Sequence, residues 1–96
     1  MPAYVIYQGD VADEARYEEY KAHAGRSVVA AGGKYLVRGG DGEALEGELP
    51  AGRTVVLEFP TRAAAIVWYE SPEYTEIRKL RAGIAQATLY VVDGVG

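Results

Sequence analysis

Few side chains in this sequence carry proton-transfer or nucleophilic chemistry, so each can be weighed. There is one histidine, His23, and no cysteine. Thiolate catalysis, disulfides and cysteine zinc sites are thereby excluded. His23 could act as a general base or proton relay, with Glu19 one helical turn before it as partner. It falls on the flank of an apolar stripe, about 100° from the stripe's centre. With no ligand-forming neighbours at metal-binding spacing, a surface histidine is the plainer reading.

Arg38 and Glu58 are the more informative pair. They lie on strands that a hairpin makes neighbours, and each shares a strand face with apolar residues. A charge in such surroundings is costly unless it is paired. Either the two residues pair with each other or with helix charges, or they face a cavity and hold a polar ligand group. In the second case Arg38 would grip a carboxylate or phenolate bidentately. Arg81, set between Ile77 and Ile84, has three readings: it snorkels to a rim, meets a buried acid or binds an anion.

Trp68 shares a stripe with Ala64 and Val67 and reads as core. Tyr69 falls about 140° from Ala64, so it is exposed, packs under the following helix or lines a pocket mouth. Eight tyrosines in 96 residues is a high number, and Tyr7, Tyr20, Tyr35 and Tyr74 could set phenols around a cavity, although tyrosine also suits packing and dimer surfaces. The candidate ligand-binding set is therefore Tyr7, Arg38, Glu58, Trp68 and Tyr69. The catalytic candidates are Arg38 and Glu58, with His23 behind them.

Other constellations fail on chemistry. Gly39-Gly40-Asp41-Gly42 looks like a phosphate loop only superficially, because no helix start follows and the loop is acidic. Asp41, Glu43, Glu46 and Glu48 lack calcium-loop spacing. No metal and no cofactor is implied. Ten basic against fourteen acidic residues give a net charge of −4, which argues against a nucleic-acid surface. No apolar run approaches the roughly 20 residues of a membrane span. The start MPAYVIYQGD shows no secretory signal, so a cytoplasmic location is expected.

The elements that must position these residues follow from periodicity. Residues 1–96 make one small domain. Ala3 to Gln8 reads as a first strand. Asp13 caps a helix whose Tyr17, Tyr20, Ala24, Val28 and Ala31 recur every three or four residues, and Gly32-Gly33 stops it. Lys34 to Arg38 is a second strand, with Tyr35 and Val37 on one face and Leu36 and Arg38 on the other. A glycine-rich acidic connection, Gly39 to Gly52, leads to a third strand, Arg53 to Phe59. Thr61 opens a second helix, broken near Ser71-Pro72 by a new start signal. The later piece carries Tyr74, Ile77, Leu80, Arg81 and Ile84. Ala87 to Val92 is the fourth strand. The order β-α-β-β-α-β predicts an α+β, ferredoxin-like fold: a four-stranded antiparallel sheet with helices on one face.

In that fold one sheet face has no helix over it, and a monomer should be polar there. Yet Tyr4-Val5-Ile6-Tyr7, Val55-Val56-Leu57 and Leu89-Tyr90-Val91-Val92 are apolar on both faces. A second copy packing sheet to sheet would cover the surplus, so a homodimer through the sheet face is expected.

GGKYLVRGG at Gly32 to Gly40, EG at Glu46-Gly47, VVLEFPTRAAAIVWYESPEY at Val55 to Tyr74 and KLR at Lys79 to Arg81 resemble the domain-of-unknown-function family 1330. That resemblance implies membership of the dimeric α+β-barrel superfamily, in which two ferredoxin-like subunits pack their sheets into a barrel. The superfamily includes cofactor-independent monooxygenases, isomerases, dehydratases and ligand-sensing domains, and fold alone does not choose among them. Two functions stay open: binding of a small aromatic or acidic metabolite, with cofactor-independent acid–base catalysis as its enzymatic form, or a non-enzymatic ligand-sensing or assembly module.

Overall fold

A computed structural model describes residues 1–95 of the chain. The elements are β1 (Ala3–Val11), α1 (Glu14–Ala30), β2 (Lys34–Arg38), β3 (Arg53–Phe59), α2 (Arg62–Glu70), α3 (Pro72–Arg78), a 3₁₀ turn (Lys79–Arg81) and β4 (Ala85–Asp93). The sheet is antiparallel throughout, in the order β2-β3-β1-β4. This is the expected ferredoxin-like arrangement, with β1 and β3 central.

The helix starts use side-chain oxygens as caps. Asp13, Thr61 and Ser71 each accept a hydrogen bond from the backbone N–H three residues on, satisfying a donor the first turn leaves free. Ser71 sits in extended backbone and Pro72 follows at the first helical position, so the chain breaks between α2 and α3 as the sequence indicates. Gly32, at φ +88°, ends α1.

The core lies between the sheet and the helices. From the strands it takes Ala3, Val5, Tyr7, Leu57 and Phe59; from α1, Tyr17, Tyr20, Ala24, Ser27 and Val28; and from the later helices, Ala65, Trp68, Tyr74 and Ile77. Ser27 is the one polar member among the described residues. It donates to the Ala24 carbonyl and accepts from Trp68 Nε1, so no buried group is stranded there.

Four expectations need correction. β1 and β4 run longer than the apolar runs alone suggest, to Val11 and from Ala85 to Asp93. Ladder pairing continues them through Gly9, Asp10 and Gln86, which have no strand propensity of their own. On α2 the buried stripe is Ala65 and Trp68, while Val67 is 69% exposed; in a run of alanines one valine cannot orient the helix. Ala31 lies past the end of α1 and is exposed. Ile84 is buried, but by the turn at Gly83 (φ +79°) and not by continuation of α3, which gives way to the 3₁₀ turn at Lys79.

Strand β2 departs most usefully. Lys34 pairs with Glu58 and Tyr35 with Leu57, but Val37 then pairs with Val56 and Arg38 with Val55. Leu36 is the extra residue of a bulge, and a bulge reverses the facing of everything after it. Val37 therefore joins the open face, and Arg38 joins Tyr35 on the helix side.

Candidate functional site

The site is a small cavity of about 40 Å³ between α1 and the helix-facing side of the sheet. Its walls are Val5, Tyr7, Val55, Leu57 and Leu89 from the strands and Tyr17, Tyr20, Ala24 and Val28 from α1; Trp68 and Tyr74 close it from the later helices. On one side stand Lys21, Tyr35, Arg38 and Arg53. Strand alternation places these groups. Arg53 shares its parity with Val55, Leu57 and Phe59, and the β2 bulge adds Arg38 and Tyr35.

The phenols form a continuous aromatic cluster. Tyr20 Oη and Tyr74 Oη are 2.5 Å apart and buried. Trp68 and Tyr74 have ring centroids 4.2 Å apart, and Tyr17 and Tyr20 lie at 5.1 Å. Burial, followed by the neighbouring hydroxyls, pushes the Tyr17 and Tyr20 phenols far above their ordinary pKa, and burial raises Tyr74 as well. These groups are therefore neutral hydrogen-bonding phenols at physiological pH.

Three guanidiniums surround the cluster. Arg38 Cζ lies 4.3 Å from the Tyr35 centroid, and its Nη2 donates to the Lys21 carbonyl at 3.0 Å. Arg53 Cζ lies 5.6 Å from the Tyr17 centroid. Arg81 stands over Tyr7 and Tyr20 at 5.7 and 5.5 Å. Burial works against the Arg81 charge, but Tyr20 and Tyr74 lift its pKa above the usual guanidinium value. Of its three readings, contact with a buried acid is replaced by contact with buried phenols. None of the three is ion-paired among the described residues; the salt bridges there join Lys21 to Glu18, Lys34 to Glu58, Arg62 to Asp93 and Lys79 to Glu76.

The candidates from sequence divide clearly. Tyr7, Arg38 and Trp68 line the cavity, as do Tyr20, Tyr35 and Tyr74. Glu58 does not. It points to the open sheet face and pairs with Lys34 at 3.1 Å, so the expected Arg38–Glu58 pair is replaced by two residues on opposite faces, separated by the bulge. Tyr69 packs under α3, against Tyr74 and Trp68, and its hydroxyl accepts from Arg78. It lines a separate cleft beside β4. His23 is exposed on the outer side of α1, and its Nδ1 accepts from Arg26 at 2.9 Å instead of meeting Glu19. Arg53 is the residue the sequence reading missed. Its alternation with three apolar residues was the available signal.

No cluster of three or more potential metal ligands occurs among the described residues. No helix there is long and apolar enough to cross a membrane.

A ferredoxin-like α+β domain with a small tyrosine- and arginine-lined cavity beneath its helices is the class that fold and site define. The family model named Domain of unknown function (DUF1330) matches residues 2–95, and the chain belongs to that family. No curated protein matches it in sequence. Among solved structures it is similar to RPA0582, a protein of unknown function from Rhodopseudomonas palustris, at 19% identity and TM-score 0.73, covering 99% of this chain and 83% of that one. It is also similar to Rv0793 from Mycobacterium tuberculosis, at 15% identity and TM-score 0.62, covering 100% and 97%. A third similar structure, "Putative antibiotic biosynthesis monooxygenase from Nitrosomonas europaea", gives 17% identity and TM-score 0.60 with both chains fully covered. These likenesses show the fold alone, a ferredoxin-like α+β domain with a four-stranded antiparallel sheet.

Proposed function

We propose that this protein is a homodimer that binds a small organic molecule, aromatic or acidic, in the cavity between α1 and the sheet. The observation that carries the reading is Arg38. The bulge turns its charge off the open face and onto the rim of the cavity, where a carboxylate or phenolate would meet it. A module built for assembly alone has no need of that arrangement, although the small volume of the cavity is the feature that speaks for it.

Binding is favoured over acid–base catalysis by the titratable groups present. His23 and Glu58 lie away from the cavity, and burial raises the Tyr17 and Tyr20 phenols so that they are not phenolate bases near neutral pH. The fold likeness to the "Putative antibiotic biosynthesis monooxygenase from Nitrosomonas europaea" keeps oxygen insertion as the enzymatic alternative.

The homodimer rests on the open face. There Val37, Tyr90 and Val92 are 39%, 52% and 43% exposed, beside Tyr4, Ile6 and Val56. An apolar sheet face of this kind is what sheet-to-sheet packing with a second copy covers.

Trp68 is the sole tryptophan and lines the cavity, so its emission reports on occupancy. Titration with pooled aromatic and acidic metabolites, followed by a crystal soak of the hits, should shift that emission and place density beside Arg38. Failure of every pool to perturb Trp68 would favour the assembly reading.

A further inference from the structure

Two buried donors that face the same cavity have no acceptor. Tyr7 is 4% exposed, and its hydroxyl has no hydrogen-bond partner among the described residues; Arg53 Nε is buried and equally unpartnered. Both line the cavity, and Arg38 and Lys21 stand beside it. A buried donor without an acceptor costs free energy comparable to a lost hydrogen bond, and a buried guanidinium costs more. Lys21 is already engaged by Glu18. The guanidiniums of Arg38 and Arg53 are not engaged by any carboxylate among the described residues. Arg38 is steered to its place by stacking on Tyr35 and by its bond to the Lys21 carbonyl.

The wall opposite these donors is apolar. Val5, Val28, Val55, Leu57 and Leu89 offer no acceptor side chain, and the lining's only side-chain acceptors are phenol oxygens, with no carboxylate among them, so a ligand that brings an anionic acceptor and is otherwise apolar suits the guanidiniums best. Size narrows it further. An enclosed space of roughly 150 Å³ admits benzene; this cavity, open on one side, has about 40 Å³. The inner space therefore seats a short chain more fully than a ring, which would have to stand partly in the mouth.

We propose that Arg38, Arg53 and Tyr7 form a binding site for a short aliphatic monocarboxylate, its carboxylate held by the two guanidiniums with Tyr7 Oη as a further donor and its short chain against the valine and leucine wall. The proposal rests on the cavity reading above and chooses the acidic ligand over the aromatic one. Guanidinium recognition of carboxylate is planar and bidentate, so lysine is a poor substitute at either position.

The test is a titration of the full chain with acetate, propionate and butyrate, with propanol and propionamide as neutral matches and benzoate as the ring-bearing acid. Backbone amide shifts and Trp68 emission are the readouts. The carboxylates should bind, and the neutral matches should bind at least tenfold more weakly. Arg53→Met and Arg53→Lys should each lose tenfold or more while far-UV circular dichroism and the melting temperature stay near the parent's. Tyr7→Phe should weaken binding severalfold while the melting temperature stays near the parent's, because within the protein that hydroxyl has only the Tyr17 hydroxyl beside it and makes no well-formed bond. Equal binding of propanol and propionate, unaltered propionate binding by Arg53→Met, or benzoate binding better than butyrate would overturn the carboxylate site and leave the cavity reading standing. Silence of every compound, neutral and charged, would overturn both.

Discussion

Tyr35 and Arg38 lie on the same face of the sheet although they are three positions apart in sequence, and the Arg38 guanidinium stacks 4.3 Å from the Tyr35 ring centroid. Regular alternation would put them on opposite faces. The bulge at Leu36 brings them together, and a cation–π contact at such a partly exposed site contributes about 0.5–1 kcal/mol. One extra residue thus moves a charge from the open face to the rim of the cavity. It also leaves Leu36 and Val37 as apolar groups on the outside, 48% and 39% exposed.

A double-mutant cycle checks that geometry. Arg38→Ala removes the contact with Tyr35 and the bond to the Lys21 carbonyl, whereas Glu58→Ala removes an exposed pairing with Lys34. The two residues share no partner and lie on opposite faces of the sheet. Their effects on unfolding free energy should add to within about 0.3–0.5 kcal/mol. A coupling well above 1 kcal/mol by thermal or urea unfolding would mean that the side chains meet and that the bulge is absent.

The positions that could and could not be anticipated differ in kind. Strands β2 and β3, the caps at Asp13, Thr61 and Ser71, and the break before Pro72 are local matters of residue type, and each was legible in the sequence. The facing of Arg38 was not, because a bulge depends on pairing with β3 and leaves no mark in five residues of β2. Val67 misled for a related reason: among alanines the direction of α2 is decided by where Trp68 finds space beside Phe59 and Tyr74. Arg53 was legible by parity but resembled an ordinary strand end. Tyr7, Tyr20 and Tyr74 could be named as cavity phenols, yet the Tyr20–Tyr74 contact joins α1 to α3 and Tyr7 lines the same cavity from β1, and only tertiary structure brings those elements together.

Trp68→Ala should destabilise the fold by roughly 3–5 kcal/mol, as expected for a large buried aromatic. Trp68 is 4% exposed, contacts Phe59 and Tyr74, and donates to Ser27. Trp68→Phe keeps much of the packing and loses that donor, so its cost should be nearer 1 kcal/mol. Chemical denaturation of the two variants separates the contributions. Parent-like stability of Trp68→Ala would remove the residue from the core.

The sheet face predicts self-association. Wild-type protein at micromolar concentration should sediment near twice the 10.4 kDa chain mass. Val56→Asp places a charge at the centre of the apolar face, opposite Ile6, and should give monomers with unchanged far-UV circular dichroism, because Val56 faces away from the helices. A wild-type monomer at these concentrations would dispose of the homodimer.

The hydroxyls of Tyr20 and Tyr74 bond to each other in the core, so removing one strands the other. Tyr20→Phe or Tyr74→Phe alone should cost about 1–3 kcal/mol, the penalty for a buried unsatisfied hydroxyl. The double change removes both polar groups together and should cost less than the sum of the singles. The same burial sets an alkaline limit. Tyr20 and Tyr17 have folded-state pKa values raised above the ordinary 10.0 by burial first and neighbouring hydroxyls second. Their protonated forms are therefore favoured in the folded state. The unfolded chain releases these protons as pH passes about 10, while the folded one retains them, so stability is fully present below that pH and falls as pH rises above it. Urea unfolding from pH 8 to pH 11 should show a flat region followed by a decline. In the Tyr20→Phe/Tyr74→Phe variant the decline should be shallower, because two of the groups that create it are gone. An equal decline in both proteins would mean that the alkaline transition belongs to other groups and that the Tyr20–Tyr74 pair is solvated.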